Sequence, residues 1–297
     1  MSRRYESSME PKRIAVFVNR RRDKELAVTK TVIEYIKKYG MEPVASFPLA
    51  QETGILGFDE KEIPGNVSIA LSLGGDGTLL STARLLFKHD IPVMGINLGT
   101  VGFLAEVEIH DIENAIKSLS TGDYKLTKRM VLTSRVERGG SIVFSGMALN
   151  DVVVSREGLS RIILLKVYVD DQYIDSFPGD GVIVSTPTGS TAYTLSAGGP
   201  IVQPEMQMMI ITPICPHILY SRSFITSPEK EVIVRIDDDY PDPAIITLDG
   251  QTGFEIMAGD QIFVKRAGKE ISFVSINHLN FYDVLRAKIH GWNADSK

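Results

Sequence analysis

Five residues, Gly74-Gly75-Asp76-Gly77-Thr78, stand directly after the apolar run 67–73 (VSIALSL). Glycines at the end of a buried strand permit positive φ and let backbone N–H groups face a phosphate without side-chain obstruction. An aspartate inside such a cradle repels phosphate and so needs a reason. Two chemical reasons are proton abstraction from an attacking hydroxyl and a hold on Mg2+ that bridges phosphates. The alternative is a tight strand-to-helix turn capped by Thr78, and this turn alone leaves both readings open.

A second turn, Asn97-Leu98-Gly99-Thr100-Val101-Gly102-Phe103-Leu104, follows the apolar run 92–96. Two adjacent parallel strands would set these two turns side by side at one sheet edge, where open α/β sheets bind ligands. Taken alone, the second turn reads as a loop with Phe103 in the core. The densest segment is 180–193 (DGVIVSTPTGSTAY), which runs on to SAGGP at 196–200. A buried strand at 181–185 ends among five hydroxyl-bearing residues in the seven positions 185–191, and a helix start is expected at Ser190 or Thr191. Hydroxyls and helix-terminal N–H groups together make a polar cup for a nucleotide, with more donors than a structural turn needs.

Three other polar clusters read more plainly. Asn150-Asp151, ahead of VVVS, is by itself a strand-initiating pair. The run Asp237-Asp238-Asp239 and the cluster Arg20-Arg21-Arg22 read as solvated faces, although the arginines could meet phosphate. Several motifs are absent: G-x-x-x-x-G-K-[ST], H-E-x-x-H, C-x-x-C and G-x-S-x-G. The dinucleotide fingerprint G-x-G-x-x-G fails at Leu80. The five histidines are scattered, and no residue is assigned as a metal ligand.

The elements that must position these turns fall into two styles. From residue 13 to about 124, apolar strand-like runs (13–18, 67–73, 92–96) alternate with helical spacing (24–39, 79–88, 111–119). That alternation predicts βαβ units and a parallel sheet. From 125 to 277 short β runs flank hairpin signals at Gly139-Gly140, Asp170-Asp171 and Asp249-Gly250-Gln251, which predicts a β-rich second domain. Residues 281–290 read as a helix, and the segment 278–297 is expected to pack back on the first domain. The polar tail 1–12 is expected to be frayed.

Composition bounds the class. The chain has 297 residues, 43% of them apolar, and 32 basic against 37 acidic side chains for a net charge of −5. So mild an acidity does not predict nucleic acid or an anionic membrane as partner. One cysteine, Cys215, predicts a reducing compartment, and the charged start lacks the apolar core of a signal peptide. A cytoplasmic protein is expected.

Together these segments resemble the NAD kinase family: LGGDGT (73–78), NLGTVGFL (97–104), ALNDVVV (148–154), DGVIVSTPTGSTAY (180–193), SAGGPIV (196–202) and NFYDVLRAKIHGW (280–292). The GGDGT turn is shared with lipid kinases and phosphofructokinases, whereas the 180–202 segment is specific. The resemblance implies an N-terminal parallel-sheet α/β domain, a β-rich second domain, and an active site in the cleft between them. It implies transfer of the terminal phosphoryl of ATP, or of polyphosphate, to the 2′-hydroxyl of NAD's adenosine ribose. Asp76 matches the proton acceptor, and Gly74, Gly75, Gly77 and Thr78 match the phosphate cradle with Mg2+. Asn150 and Asp151 match residues that hold the adenosine, with Asp180 and the turn Thr191, Ala192, Tyr193, Thr194, Leu195 and Ser196 around it. Gln251 matches a contact near the far end of the dinucleotide, and Arg161 lies where several members place a basic contact residue. Ser81 and Pro178 depart from the basic or large polar residues of many bacterial members, which bears on the choice between NAD and NADH. Family members commonly form homodimers or homotetramers. The rivals are a lipid kinase of the diacylglycerol type and a non-catalytic NAD(H) sensor.

Overall fold

The computed structural model describes residues 12–60, 62–99, 102–158, 161–276 and 280–290. The tail expected at 1–12 therefore lies almost wholly outside the described residues, as do Thr100 and Val101 of the second turn and residues beyond 290. The chain divides into two compact units, 1–127 with 272–297, and 128–271.

In the first unit, parallel strands pair in the order Leu56–Phe58, Glu42–Ser46, Arg13–Val18, Val67–Gly74, Val93–Asn97 and Ile271–Ser275, with Lys125–Arg129 at the far edge. The two central strands that end in the glycine turns are buried almost throughout, as their unbroken apolar runs require for a sheet covered on both faces. Helix Ala27–Lys38 buries Thr29, Val32, Ile33 and Ile36, one stripe at helical spacing, and helix Asp76–Leu86 buries Leu79, Leu80, Ala83 and Leu86. From Arg13–Val18 the chain moves first to one neighbour, Glu42–Ser46, and later to the other, Val67–Gly74. The strand order thus reverses between Arg13–Val18 and Val67–Gly74, a topological switch point.

Two features differ from the sequence expectation. Ile271–Ser275, read as the end of the β-rich region, pairs in the first unit's sheet, because Phe273 stands in register with Val93. Helix Asp76–Leu86 begins at Asp76 itself, with extended Gly75 before it, so Thr78 sits inside the first turn instead of capping it.

The second unit holds two antiparallel six-stranded sheets. One runs Phe224–Thr226, Met209–Ile214, Gly181–Ser185, Asp151–Arg156, Ala244–Leu248, Thr252–Ile256. The other runs Gln172–Gly179, Ile163–Val169, Val232–Ile236, Gln261–Arg266, Leu132–Arg138, Ser141–Ala148. Inward residues of both share one apolar core, among them Val152, Val184, Ile246, Leu165, Val234 and Val264. The expected hairpins lie at Leu132–Arg138 with Ser141–Ala148, Ile163–Val169 with Gln172–Gly179, and Ala244–Leu248 with Thr252–Ile256. Among the described residues no helix is long and apolar enough to cross a membrane.

One charge lies fully inside this unit. Asp260 is 0% exposed and takes both Nε and Nη2 of Arg138 at 2.8 Å, with the Met257 N–H donating to it at 3.0 Å. Arg138→Met removes the partner and leaves a buried carboxylate. The expected loss is about 2 kcal/mol, below the ~3–5 kcal/mol of a fully buried pair because Arg138 keeps a third of its surface in water. Denaturant unfolding of both proteins measures it, and a change under about 0.5 kcal/mol would show the pair to be dispensable.

Candidate active site

In the first unit the two glycine turns are neighbours, since Gly74 is in register with Asn97 at the carboxyl ends of parallel strands. The Leu98 N–H donates to the Gly74 carbonyl at 2.7 Å, and the Gly99 N–H to Asn97 Oδ1 at 3.1 Å. The decisive contact is longer in range. Asp76 Oδ2 accepts the Phe103 N–H at 2.8 Å, and Oδ1 accepts the N–H groups of Leu104 and Ala105 at 3.2 Å each. Three backbone donors fix the carboxylate in one orientation, and Oδ2, with only one of them, keeps acceptor capacity. Gly102 makes this possible. A Cβ at that position would stand 1.7 Å from Asp76 Oδ1.

Asn19, at the end of Arg13–Val18, joins the cluster by donating Nδ2 to Thr78 Oγ1 at 3.2 Å and its own N–H to the Leu73 carbonyl at 2.8 Å. The loop that follows is pinned by buried Asp23, which accepts the Thr29 N–H at 2.8 Å and hydroxyl at 2.7 Å. All three arginines of this loop are exposed, as a solvated face requires, and two of them have defined neighbours. Arg20 forms a two-pronged pair with Glu52, both bonds at 2.6 Å. Arg22 lies against the glycine turns, its Nη1 2.7 Å from where a Cβ of Gly99 would be and 3.0 Å from that of Gly75. A guanidinium over two glycine turns supplies a cation where phosphates would rest. Sequence reasoning allowed that these arginines could meet phosphate but could not single out Arg22, because only the folded loop carries it to the turn.

In the second unit Asn150 and Asp151 open the strand Asp151–Arg156, with Asp151 opposite Ser185. Asp249, which the hairpin signal marks only as a turn residue, organises them. Its φ is 52°, and its carboxylate accepts the N–H groups of Leu149, Asn150 and Asp151 at 3.1, 2.7 and 3.3 Å. Burial, and then the charge of Asp249, push the Asp151 carboxyl up to about 7. The hydroxyl-rich turn packs on the same corner. Thr186 donates to the Leu149 carbonyl at 2.6 Å, and Gly189 comes so close to Asn150 that a Cβ would stand 2.1 Å from its carbonyl oxygen.

The hydroxyls of this turn divide by role. Thr186 and Ser190 are spent on backbone, Ser190 bonding both the carbonyl and the N–H of Val202 at 3.1 Å. Thr191 donates to Thr188. Ser185, Thr188 and Thr194 have buried hydroxyls with no partner among the described residues. The expected helix start becomes a short 3-10 turn, Thr188–Thr191, and then, past Ala192, a single helical turn Tyr193–Ser196 that contains Leu195.

Asp180 stands at the other end of its strand from Ser185 and is paired with Arg156 at 2.7 Å. Tyr193 is half exposed, and burial first, then the charges of Cys215, Asp180 and Asp151, push its phenol up. Gln251 is exposed in the Asp249 hairpin, and Arg161 is exposed with its N–H on Asp242 at 3.2 Å. Pro178 lies in Gln172–Gly179 opposite Leu164, and Ser81 donates to the Gly77 carbonyl at 3.1 Å. The run 237–239 is a folded loop, with Asp237 paired to Lys166 at 2.7 Å.

An α/β unit whose glycine turns hold an oriented carboxylate at a sheet's carboxyl edge, joined in one chain to a β-rich unit, has the build of a nucleotide-dependent phosphotransferase. The comparisons narrow the class. Residues 14–124 match the ATP-NAD kinase N-terminal domain and residues 149–276 the ATP-NAD kinase C-terminal domain. An NAD kinase of Acetivibrio thermocellus is 43% identical over 280 residues, covering 94% of this chain and 97% of the relative. An NAD kinase of Ruminiclostridium cellulolyticum is 41% identical over 284 residues, covering 94% and 98%. Among solved structures, a yeast NADH kinase complexed with NADH superposes with a TM-score of 0.81 at 23% identity, covering 97% of this chain and 90% of that one. An Archaeoglobus fulgidus NAD kinase in complex with ATP superposes with 0.74 at 25% identity, covering 95% and 100%. The chain belongs to the NAD kinase family.

Two outcomes follow from the geometry. Gly102→Ala displaces the Asp76 carboxylate, so NADP formation is expected to fall about a hundredfold with little change in unfolding midpoint. A folded variant with near-wild-type turnover would remove the 103–105 contact from the account. The second concerns pH. An unfolded aspartate titrates near 3.8 and folded Asp151 near 7, so the folded state holds the extra proton between those values. The stability this gives is complete below the lower value and is lost as pH rises through the upper one. Asp151→Asn is expected to be less sensitive across that window, gaining on the wild type between about pH 5 and about pH 8 in denaturant midpoint. Parallel midpoints for the two proteins would contradict it.

Proposed function

We propose that this NAD(+) kinase transfers the terminal phosphoryl of ATP to the 2′-hydroxyl of the adenosine ribose of NAD, with Asp76 as proton acceptor. The observation that carries the role of Asp76 is its carboxylate, oriented by three backbone N–H groups on a glycine turn. A sugar hydroxyl is a weak nucleophile, and a carboxylate within hydrogen-bond reach takes its proton as attack proceeds. The new bond joins the 2′-oxygen to the γ-phosphorus, the bond to the β-phosphate oxygen breaks, and ADP leaves.

From the first unit, Gly74, Gly75, Gly77 and Thr78 offer backbone groups to the phosphates, and Arg22 adds a positive charge beside them. Mg2+ fits here as an ion carried by phosphate oxygens and water, with Asp76 the carboxylate on the turn. No group of three candidate ligands is clustered among the described residues. When bound, it would neutralise charge on the transferred group.

From the second unit, Asn150 and Asp151 receive the adenosine, with the unpartnered hydroxyls of Thr188 and Thr194 as further donors and Tyr193 as a stacking ring. Asp180 and the turn of Thr191, Ala192, Leu195 and Ser196 surround the adenosine, Gln251 serves the far end of the dinucleotide, and Arg161 is a further basic contact. The single cysteine suits a cytoplasmic protein, and a homodimer or homotetramer is the assembly proposed.

The test is NADP formation from NAD with Mg-ATP or with polyphosphate. Asp76→Asn keeps the shape and removes the base, so turnover is expected to fall by about 10² or more while NAD affinity changes far less. NAD binding without NADP formation from either donor in the wild type would favour a sensor instead.

A further inference from the structure

Asp76 is held by the N–H groups of residues 103–105, and the last part of the chain grips that stretch at both ends. At one end the Ser275 hydroxyl, closing the strand Ile271–Ser275, donates to Glu106 Oε2 at 2.7 Å, one residue past Ala105. Val274 of the same strand lies in the first unit's core, so this end is anchored by buried apolar surface. At the other end the Lys288 ammonium lies 5.0 Å from the centroid of the half-buried Phe103 ring, within range of a cation–π attraction.

The helix that carries Lys288 is built to bring it there. Phe281–His290 starts after Asn280, whose Oδ1 accepts the Asp283 N–H at 3.0 Å as a side-chain cap. Positions 281, 284, 285 and 288 fall on one helical face. Phe281, Val284 and Leu285 are part-buried there, whereas Tyr282, Arg286 and Ala287 are exposed. Lys288 ends this face, near the carboxyl end of the helix, where a cation is favoured. The ring it covers belongs to the residue whose N–H donates to Asp76 Oδ2 at 2.8 Å. Glu106 adjoins the residue whose N–H reaches Oδ1 at 3.2 Å. Both contacts therefore bear on the stretch of backbone that sets the carboxylate.

From this we infer that Lys288 is a positioning residue of the phosphotransfer: through Phe103 it holds the 103–105 amides on Asp76, with the Ser275–Glu106 bond as the second point of the clasp. The inference rests on the phosphotransfer reading and deepens it. Lys288 acts through the loop and touches neither substrate nor the reacting atoms. At an exposed site a cation–π contact shifts an equilibrium by about two- to fivefold, which sets the size of effect expected from Lys288 alone.

The experiment separates the grip from the chemistry. Lys288→Gln removes the charge and keeps a long polar side chain, whereas Lys288→Arg keeps a cation for the ring. Hydrogen exchange of the 102–106 amides, followed on the whole protein without substrate, is expected to quicken about two- to fivefold in Lys288→Gln and to return to the wild-type rate in Lys288→Arg. In NADP formation from NAD and Mg-ATP, kcat of Lys288→Gln is expected to fall about two- to fivefold with both KM values within about 1.5-fold, and Lys288→Arg restores it. In an Asp76→Asn background the same Lys288→Gln change should cost nothing further, because the carboxylate it positions is gone. Ser275→Ala is a second, independent variant should Lys288→Gln fail to fold, and faster exchange at 102–106 is expected from it too. Unchanged exchange at 102–106, or a kcat loss that persists undiminished in the Asp76→Asn background as a direct contact with phosphate would give, overturns the inference. If exchange responds as expected while no protein forms NADP, the phosphotransfer reading fails and the grip of Lys288 on the 103–105 amides stands.

Discussion

The bonds from the Phe103, Leu104 and Ala105 N–H groups to the Asp76 carboxylate are the constraint around which the first unit is arranged. A carboxylate at the head of a helix has many rotamers in water, and catalysis needs one. Three fixed backbone donors select it with no side chain whose own entropy must be lost. They can do so only because strands Val67–Gly74 and Val93–Asn97 are adjacent and parallel, which brings two sequence-distant turns to one edge. Gly102 then has to be glycine, since the carboxylate occupies the space a Cβ would fill.

The second unit uses the same device in another place. Asp249 accepts three successive backbone N–H groups and so sets the corner at Asn150-Asp151. Its charge then acts on Asp151, which is buried beside it. In both units an aspartate shapes a turn, and Asp249 also raises the titration of its buried neighbour. Asp76 Oδ2, with one backbone donor, keeps acceptor capacity.

Much of this was legible in the sequence. Unbroken apolar runs marked the two central strands, and glycine turns marked their carboxyl ends. Hairpin signals at Gly139-Gly140, Asp170-Asp171 and Asp249-Gly250 marked the β-rich unit. The illegible parts are those that depend on distant pairing. Ile271–Ser275 looks like one more short β run, and only its register with Val93 assigns it to the first sheet. Arg20 and Arg22 are indistinguishable in composition, yet one is tied to Glu52 and the other lies on the glycine turns. Asp249 carries a hairpin signal that says nothing of the three amides it holds. The hydroxyls of 185–194 read alike as donors, whereas in the fold Thr186 and Ser190 bond backbone and Ser185, Thr188 and Thr194 stay unpartnered.

On the function proposed above, the 103–105 loop serves catalysis by orienting Asp76 and in no other way. The most direct measurement is a double-mutant cycle on kcat with Gly102→Ala and Asp76→Asn, read as NADP formed per enzyme under saturating NAD and Mg-ATP. If Gly102 acts only through the carboxylate, the double variant should lose about 10², no more than Asp76→Asn alone. A double variant slower by the product of the two single effects, about 10⁴, would mean that the loop and the carboxylate act independently and would contradict the account.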